Sequence, residues 1–175
     1  MNRLKKKWGT APLLALCLVA LVGGGAFAQR QLAGAAGGGR PEIKVQLNGS
    51  VERGGGRLSL DKVENVKPGE ILDWQIVSSN EGTGEARDYK AVGHIPAGTA
   101  LVSGSAAAES GSNVTYSIDG GKTYSTQPVV EERQADGTVK KVPAPVSMYT
   151  EVRYEWSDAF APGGKLSASY KVRVK

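Results

Sequence analysis

From Pro41 onward the chain alternates apolar and polar residues with a period of two. Ile43, Val45 and Leu47 alternate with Glu42, Lys44 and Gln46, and Leu72, Trp74 and Ile76 with Asp73 and Gln75. Val152, Tyr154 and Trp156 alternate with Glu151, Arg153 and Glu155. Leu166, Ala168, Tyr170, Val172 and Val174 alternate with Ser167, Ser169, Lys171, Arg173 and Lys175. Successive side chains of a strand point to opposite faces of a sheet, so the first set of each run is expected in a core and the second in water. No comparable run has the three-and-four spacing of a helix.

Turn chemistry separates these runs. Pro68-Gly69, Glu81-Gly82, Pro96-Ala97-Gly98, Asp119-Gly120-Gly121, Asp136-Gly137 and Pro162-Gly163-Gly164 each fall between strand-like segments. Short strands at such spacing predict an all-β fold, an antiparallel β-sandwich of about seven to nine strands. Residues 106–113 and 126–147 carry weaker signals. The second stretch, with Pro128, Pro143 and Pro145 around Asp136-Gly137, is expected to form a hairpin projecting as a long loop. Gly54–Gly56 is expected to be a flexible connection.

The start of the chain is different. Met1–Lys7 is basic, Ala11–Val22 is a run of 12 apolar residues, and Gly23–Gly25 leads into Ala26-Phe27-Ala28, a small-x-small cleavage pattern. A helix of that length spans roughly 18 Å, against the ~30 Å hydrocarbon core that a permanent anchor must cross. Residues 1–28 therefore read as a signal-peptide helix, with an uncleaved anchor as the alternative. Cys17 follows Leu16, where a lipoprotein signal needs a small residue, so it reads as a hydrophobe of the leader. Gln29–Arg40 has no apolar period and reads as a flexible linker, leaving 41–175 as one domain.

Removing the leader changes the charge. It holds four of the 22 Lys and Arg and no acid, so residues 29–175 carry 18 basic and 17 acidic side chains. That near balance excludes sequence-independent nucleic-acid binding, which needs a clustered cationic surface. The only Cys lies in the leader and the only His is His94, so disulfides, thiolate chemistry and sites needing two imidazoles are excluded as well.

Several segments, in order, resemble a known family. They are Lys67-Pro-Gly-Glu70 before the Trp74 strand, Ser79-Asn-Glu-Gly82 after it, and Ile95-Pro-Ala-Gly-Thr-Ala-Leu-Val-Ser-Gly-Ser105. Then come Tyr116-Ser-Ile-Asp-Gly-Gly-Lys-Thr-Tyr124, Val152-Arg-Tyr-Glu-Trp156 and Ala161-Pro-Gly-Gly164. Over residues 60–175 they look like the conserved-repeat domain of bacterial envelope and surface proteins, known as domain of unknown function eleven. The resemblance implies an immunoglobulin-like fold, an exported non-catalytic module and no catalytic residues. It marks Pro68, Gly69, Trp74, Asn80, Gly82, Pro96, Gly98, Asp119, Gly121, Tyr124, Trp156, Pro162 and Gly163 as turn and core positions. Asn80 and Gly82 are expected to make a left-handed turn, and Pro96 to end a strand at a sheet edge. Gly93 departs from the family, which often has Asp there; the loop 126–147 is long, and tandem copies are missing.

Candidate chemistry is sparse. Ser117-Ile-Asp-Gly-Gly-Lys-Thr-Tyr124 fits the Asp-box pattern of sialidase-type propellers, but one copy cannot build a propeller. It is read as a hairpin in which Asp119 caps the turn, Gly121 takes positive φ and Tyr124 packs beneath. His94 is expected in a partly exposed strand end. Asp73, Asp88, Asp119, Asp136 and Asp158 have no metal-ligand spacing, although a calcium site assembled from separate loops stays open. Trp74 and Trp156 are in phase with core residues and are read as core rather than as a sugar platform. Lys171, Arg173 and Lys175 read as a blocked edge or a solvated face.

The sequence thus points to an exported β-sandwich with no cofactor, in the periplasm, envelope or extracellular space, with a structural or protein-interaction role. Its expected partners are other envelope or surface proteins, and it meets the membrane only through the signal peptide. The alternative is a carbohydrate- or calcium-dependent binding module using loops at one end of the sandwich; an enzyme is the remaining class.

Overall fold

A computed structural model describes residues 39–109 and 111–175, so the expected signal peptide and residues 29–38 of the expected linker lie outside the described residues. Eleven strands and no α-helix are found among the described residues. They are β1 (Ile43–Arg53), β2 (Gly56–Ser59), β3 (Ile71–Asn80), β4 (Lys90–His94), β5 (Thr99–Leu101) and β6 (Ala107–Ala108). After these come β7 (Ser112–Ser117), β8 (Val129–Arg133), β9 (Val139–Pro143), β10 (Glu151–Trp156) and β11 (Lys165–Val174). The larger sheet runs β2-β1-β3-β11-β5 with β6 also on β11, the smaller runs β4-β10-β7, and every pairing is antiparallel. These nine strands fall within the expected number. The other two, β8 and β9, form the hairpin expected in 126–147, with Glu131 and Glu132 opposite Lys141 and Lys140.

The sheets pack face to face as the expected β-sandwich. From the larger sheet come Val51, Leu72, Ile76, Leu101, Ala168, Tyr170 and Val172, and from the smaller Ala91, Val152, Tyr154 and Trp156, all buried in one cluster. Take β1, β3, β4, β5, β7, β10 and β11 as strands A to G of the immunoglobulin constant-type order, A-B-E-D on C-F-G. The final strand β11 then holds the place of E between β3 and β5, and β7 holds the outer place beside β10. Because β11 is interior to its sheet, Lys171, Arg173 and Lys175 form a solvated face and not a blocked edge.

The period-two reading needs two corrections. Val45 and Leu47 were expected in the core and are each 56% exposed. The register puts them opposite Ser78 and Ile76, on the inner face of the larger sheet. That face is broader than the three-stranded sheet that covers it, so the inner side of early β1 is left bare. Conversely Glu151, expected in water, is buried. The turn between β7 and β10 lies against the outer face of β10 there: Tyr124 hydrogen-bonds the Glu151 carboxylate.

Two turns also differ from expectation. Gly54–Gly56 is no flexible connection: Gly54 and Gly55 take φ of 59° and 77° and form the two-residue turn of the β1–β2 hairpin, with Arg53 opposite Gly56. Asn80 and Gly82 do not make a left-handed turn, since neither has positive φ. Asn80 is instead wholly buried, and its side chain ties three segments together. Its Nδ2 donates to the carbonyls of Gly84 and Phe160 at 2.8 and 2.9 Å, and its Oδ1 accepts from the N–H groups of Glu42 and Gly82. Gly82 is needed for space, because a Cβ there would run into the backbone of residues 40–42.

Candidate interaction surface

Local hydrogen bonds hold the remaining turn residues. Gly69 takes φ 89° after Pro68, and the Glu70 carboxylate closes the turn by accepting the Lys67 N–H at 2.7 Å. The same carboxylate receives Arg53 Nε and Nη2 at 2.7 and 2.8 Å, so this turn is held to the end of β1. Those hydrogen bonds, Arg53 first, hold the Glu70 carboxyl down to about 2. Pro96 follows β4, an edge strand as expected, and its carbonyl accepts from the N–H and Oγ1 of Thr99 beyond Gly98. Past Pro162, the Gly163 N–H donates to the Asn80 carbonyl at 2.7 Å.

The Asp-box segment is a hairpin turn closed by the Tyr116–Ser125 bridge. Asp119 accepts from the N–H groups of Lys122 and Thr123 and from the hydroxyls of Thr123 and Ser117, at 2.6–3.1 Å. These bonds, led by Thr123, hold its carboxyl well below the usual carboxylate range. Gly121 has φ 85°, and a Cβ on it would meet Glu151 Oε2 at 2.6 Å.

Beside this turn lies a cluster that the sequence did not reveal. Buried Glu151 accepts from Tyr124 and, through Oε1, faces His94 Nδ1 at 3.0 Å, while Arg153 stacks on the Tyr124 ring at 3.8 Å. Burial, then the Glu151 carboxylate, push the Tyr124 phenol up to about 12. His94 stays exposed at its strand end, as expected. The carboxylate is satisfied by its own neighbours, which makes the cluster a clamp between the turn and β4–β10.

The surface left without a partner is the first half of β1. The Glu81 N–H donates to the Glu42 carbonyl at 2.8 Å, and the register continues from that pair along β1 and β3. In an antiparallel ladder the bonded pairs alternate. Lys44, Gln46, Asn48 and Ser50 therefore spend their backbone groups on β3, and the odd-numbered residues aim theirs at the opposite edge. There β2 pairs only with Ser50–Arg53. The N–H and C=O groups of Ile43, Val45 and Leu47 thus meet no strand among the described residues. Cover of the inner face also stops at Gly49, where Leu60 Cδ1 and Trp74 Cζ3 lie 2.6 and 2.7 Å from where a Cβ would be. Beyond it Val45 and Leu47 stand open. An open backbone edge with apolar side chains is the arrangement that accepts a further strand.

The alternative sites find less. Trp156 is buried, and Trp74 is half-buried, facing inward against the core. A concavity of about 500 Å³ on the outer face of the larger sheet is lined by Asn48, Ser50, Arg57, Asp73 and Gln75, with no aromatic side chain. No group of three or more His, Cys, Asp or Glu placed to hold a metal ion occurs among the described residues.

No family model, curated protein or solved structure matches this chain.

Proposed function

We propose that this chain is an exported, non-catalytic β-sandwich module that works by binding protein, in the bacterial envelope or outside the cell. The observation that carries the reading is the open edge of β1, with Val45 and Leu47 each 56% exposed beside backbone groups that meet no strand among the described residues. A protein that leaves such an edge bare is prone to strand-to-strand association, and soluble folds normally blunt it with a charge, a proline or a bulge. Between Ile43 and Gly49 the inner face has none of these. The leader-like residues 1–28 and the resemblance to an envelope repeat domain support the same reading.

The test is a photo-crosslinking residue placed at Val45 in the full chain, in the cells that produce it. A covalent protein adduct is expected from Val45 and not from the exposed control position Glu64. No adduct from Val45, or equal adducts from both, would sink the reading.

A further inference from the structure

We infer that the occupant of the β1 edge is the β1 edge of a second copy of this chain, antiparallel across a two-fold axis at Val45; the inference rests on the reading just given.

The free window is bounded on both sides. At one end β2 begins at Ser50, and at the other Pro41 has no N–H to offer a ladder. Leu60 continues from β2 opposite Gly49, so an added strand must fit along Glu42–Asn48. Residues directly opposite in a sheet share a face, so a self-paired β1 must set odd residues against odd and even against even.

With Val45 on the axis, Val45 opposes Val45 of the copy and Ile43 opposes Leu47, so each apolar residue of the bare stripe meets another. On the other face Lys44 opposes Gln46 and Glu42 opposes Asn48, and no like charges meet. Moving the axis to Lys44 would set two lysines against each other, which is unfavourable for directly opposed residues. Moving it to Gln46 sets Ile43 against Gly49 and Glu42 against Ser50, which β2 already occupies. The Val45 register also uses the right backbone groups, because Ile43, Val45 and Leu47 are the residues whose N–H and C=O point outward.

Association through one short strand pair buries less than the ~1,200 Å² of a standard interface, so a weak dimer is expected, populated at about 0.1 mM and not at nanomolar concentrations. The experiment combines sedimentation of the full chain with cysteine crosslinking in a Cys17→Ser background. Val45→Cys is expected to give a disulfide-linked dimer under mild oxidation. Leu47→Cys alone should give none, and mixed Ile43→Cys and Leu47→Cys chains should crosslink. Val45→Lys, which sets two like charges on the axis, is expected to leave a monomer with an unchanged thermal midpoint, because on that edge Val45 meets no strand among the described residues.

A folded Val45→Cys chain that does not crosslink would overturn the inference. So would a Leu47→Cys chain that crosslinks equally well, or a Val45→Lys chain that still dimerises. The adduct from the crosslinker at Val45 separates the two ideas: twice the chain mass supports the second copy, and another protein's mass overturns it while the binding reading stands. No adduct ends both.

Discussion

The ring of Tyr170, on β11 of the larger sheet, lies where Gly93, on β4 of the smaller, would carry a side chain. A Cβ on Gly93 would meet Tyr170 Cζ at 2.8 Å, and the phenol donates to the carbonyl of adjacent His94 at 2.6 Å. The contact locks the two layers together, and burial pushes the phenol up to about 12. Gly93→Ala should therefore destabilise the fold by about 1–3 kcal/mol through overpacking. Urea denaturation checks it, and an unchanged midpoint would show that the ring can move aside.

Asn80 should be the most costly polar residue to remove. Asn80→Ala removes the partner of the Gly84 carbonyl and of the N–H groups of Glu42 and Gly82, and one of the two donors to the Phe160 carbonyl, which keeps the Ala86 N–H. A buried group left unsatisfied costs about 1–3 kcal/mol, and with several affected the loss is expected to exceed 2 kcal/mol. Asn80→Asp should do no better, since a carboxylate would face two carbonyls. Thermal denaturation of both variants decides this; a tolerated Asp would contradict the assigned donors.

The two domain tryptophans should differ. Trp156 is 4% exposed and stacks on Tyr89 with ring centroids 5.6 Å apart, whereas Trp74 is half-buried. Trp156→Ala is expected to cost about 3–5 kcal/mol, and Trp74→Ala clearly less. Equal losses in chemical denaturation would mean that Trp74 is packed more tightly than its exposure implies.

Acid should loosen the Lys67–Glu70 turn. Glu70 has its carboxyl held at about 2 in the fold, below the value near 4.3 of an unfolded chain. A depressed carboxyl contributes stability that is complete above the unfolded value and is lost as pH falls through the folded one. The midpoint of the wild-type protein should fall between pH 4.5 and 2, and Glu70→Gln should fall less steeply across the same range. Parallel curves would show that Arg53 does not discriminate between the charged and neutral side chain.

Asp119→Asn should lower the thermal midpoint, because the Thr123 hydroxyl and the Ser117 hydroxyl both donate to the carboxylate. It should leave no glycan-cleaving activity to lose. Turnover of a glycan by the wild-type protein, abolished in Asp119→Asn at unchanged midpoint, would contradict the structural role of the turn.

The strands were legible where both neighbours are regular. Val152, Tyr154 and Trp156 are buried because β10 is central in its sheet, and Tyr170 and Val172 because β11 is interior in the other. Period alone reports which face a residue shares, not whether a second layer reaches it, and so Val45 and Leu47 were misplaced. Glu151 was misread for the opposite reason: an insertion between neighbouring strands folds back on the solvent face, and only Tyr124 in the turn motif hinted at it. Asn80 looked like a turn former because Asn is common there, while its partners lie up to 80 residues away in sequence.

The place of β11 between β3 and β5 has a consequence for biogenesis. The larger sheet has no continuous hydrogen-bonded path from β3 to β5 until residues 165–174 are available. Its contacts are therefore distant in sequence, a topology that folds slowly because the chain must close long loops first. Synthesis from the N-terminus delivers the earlier strands before that keystone arrives. Until it does, β1–β3 and β5 remain separate pieces of the larger sheet.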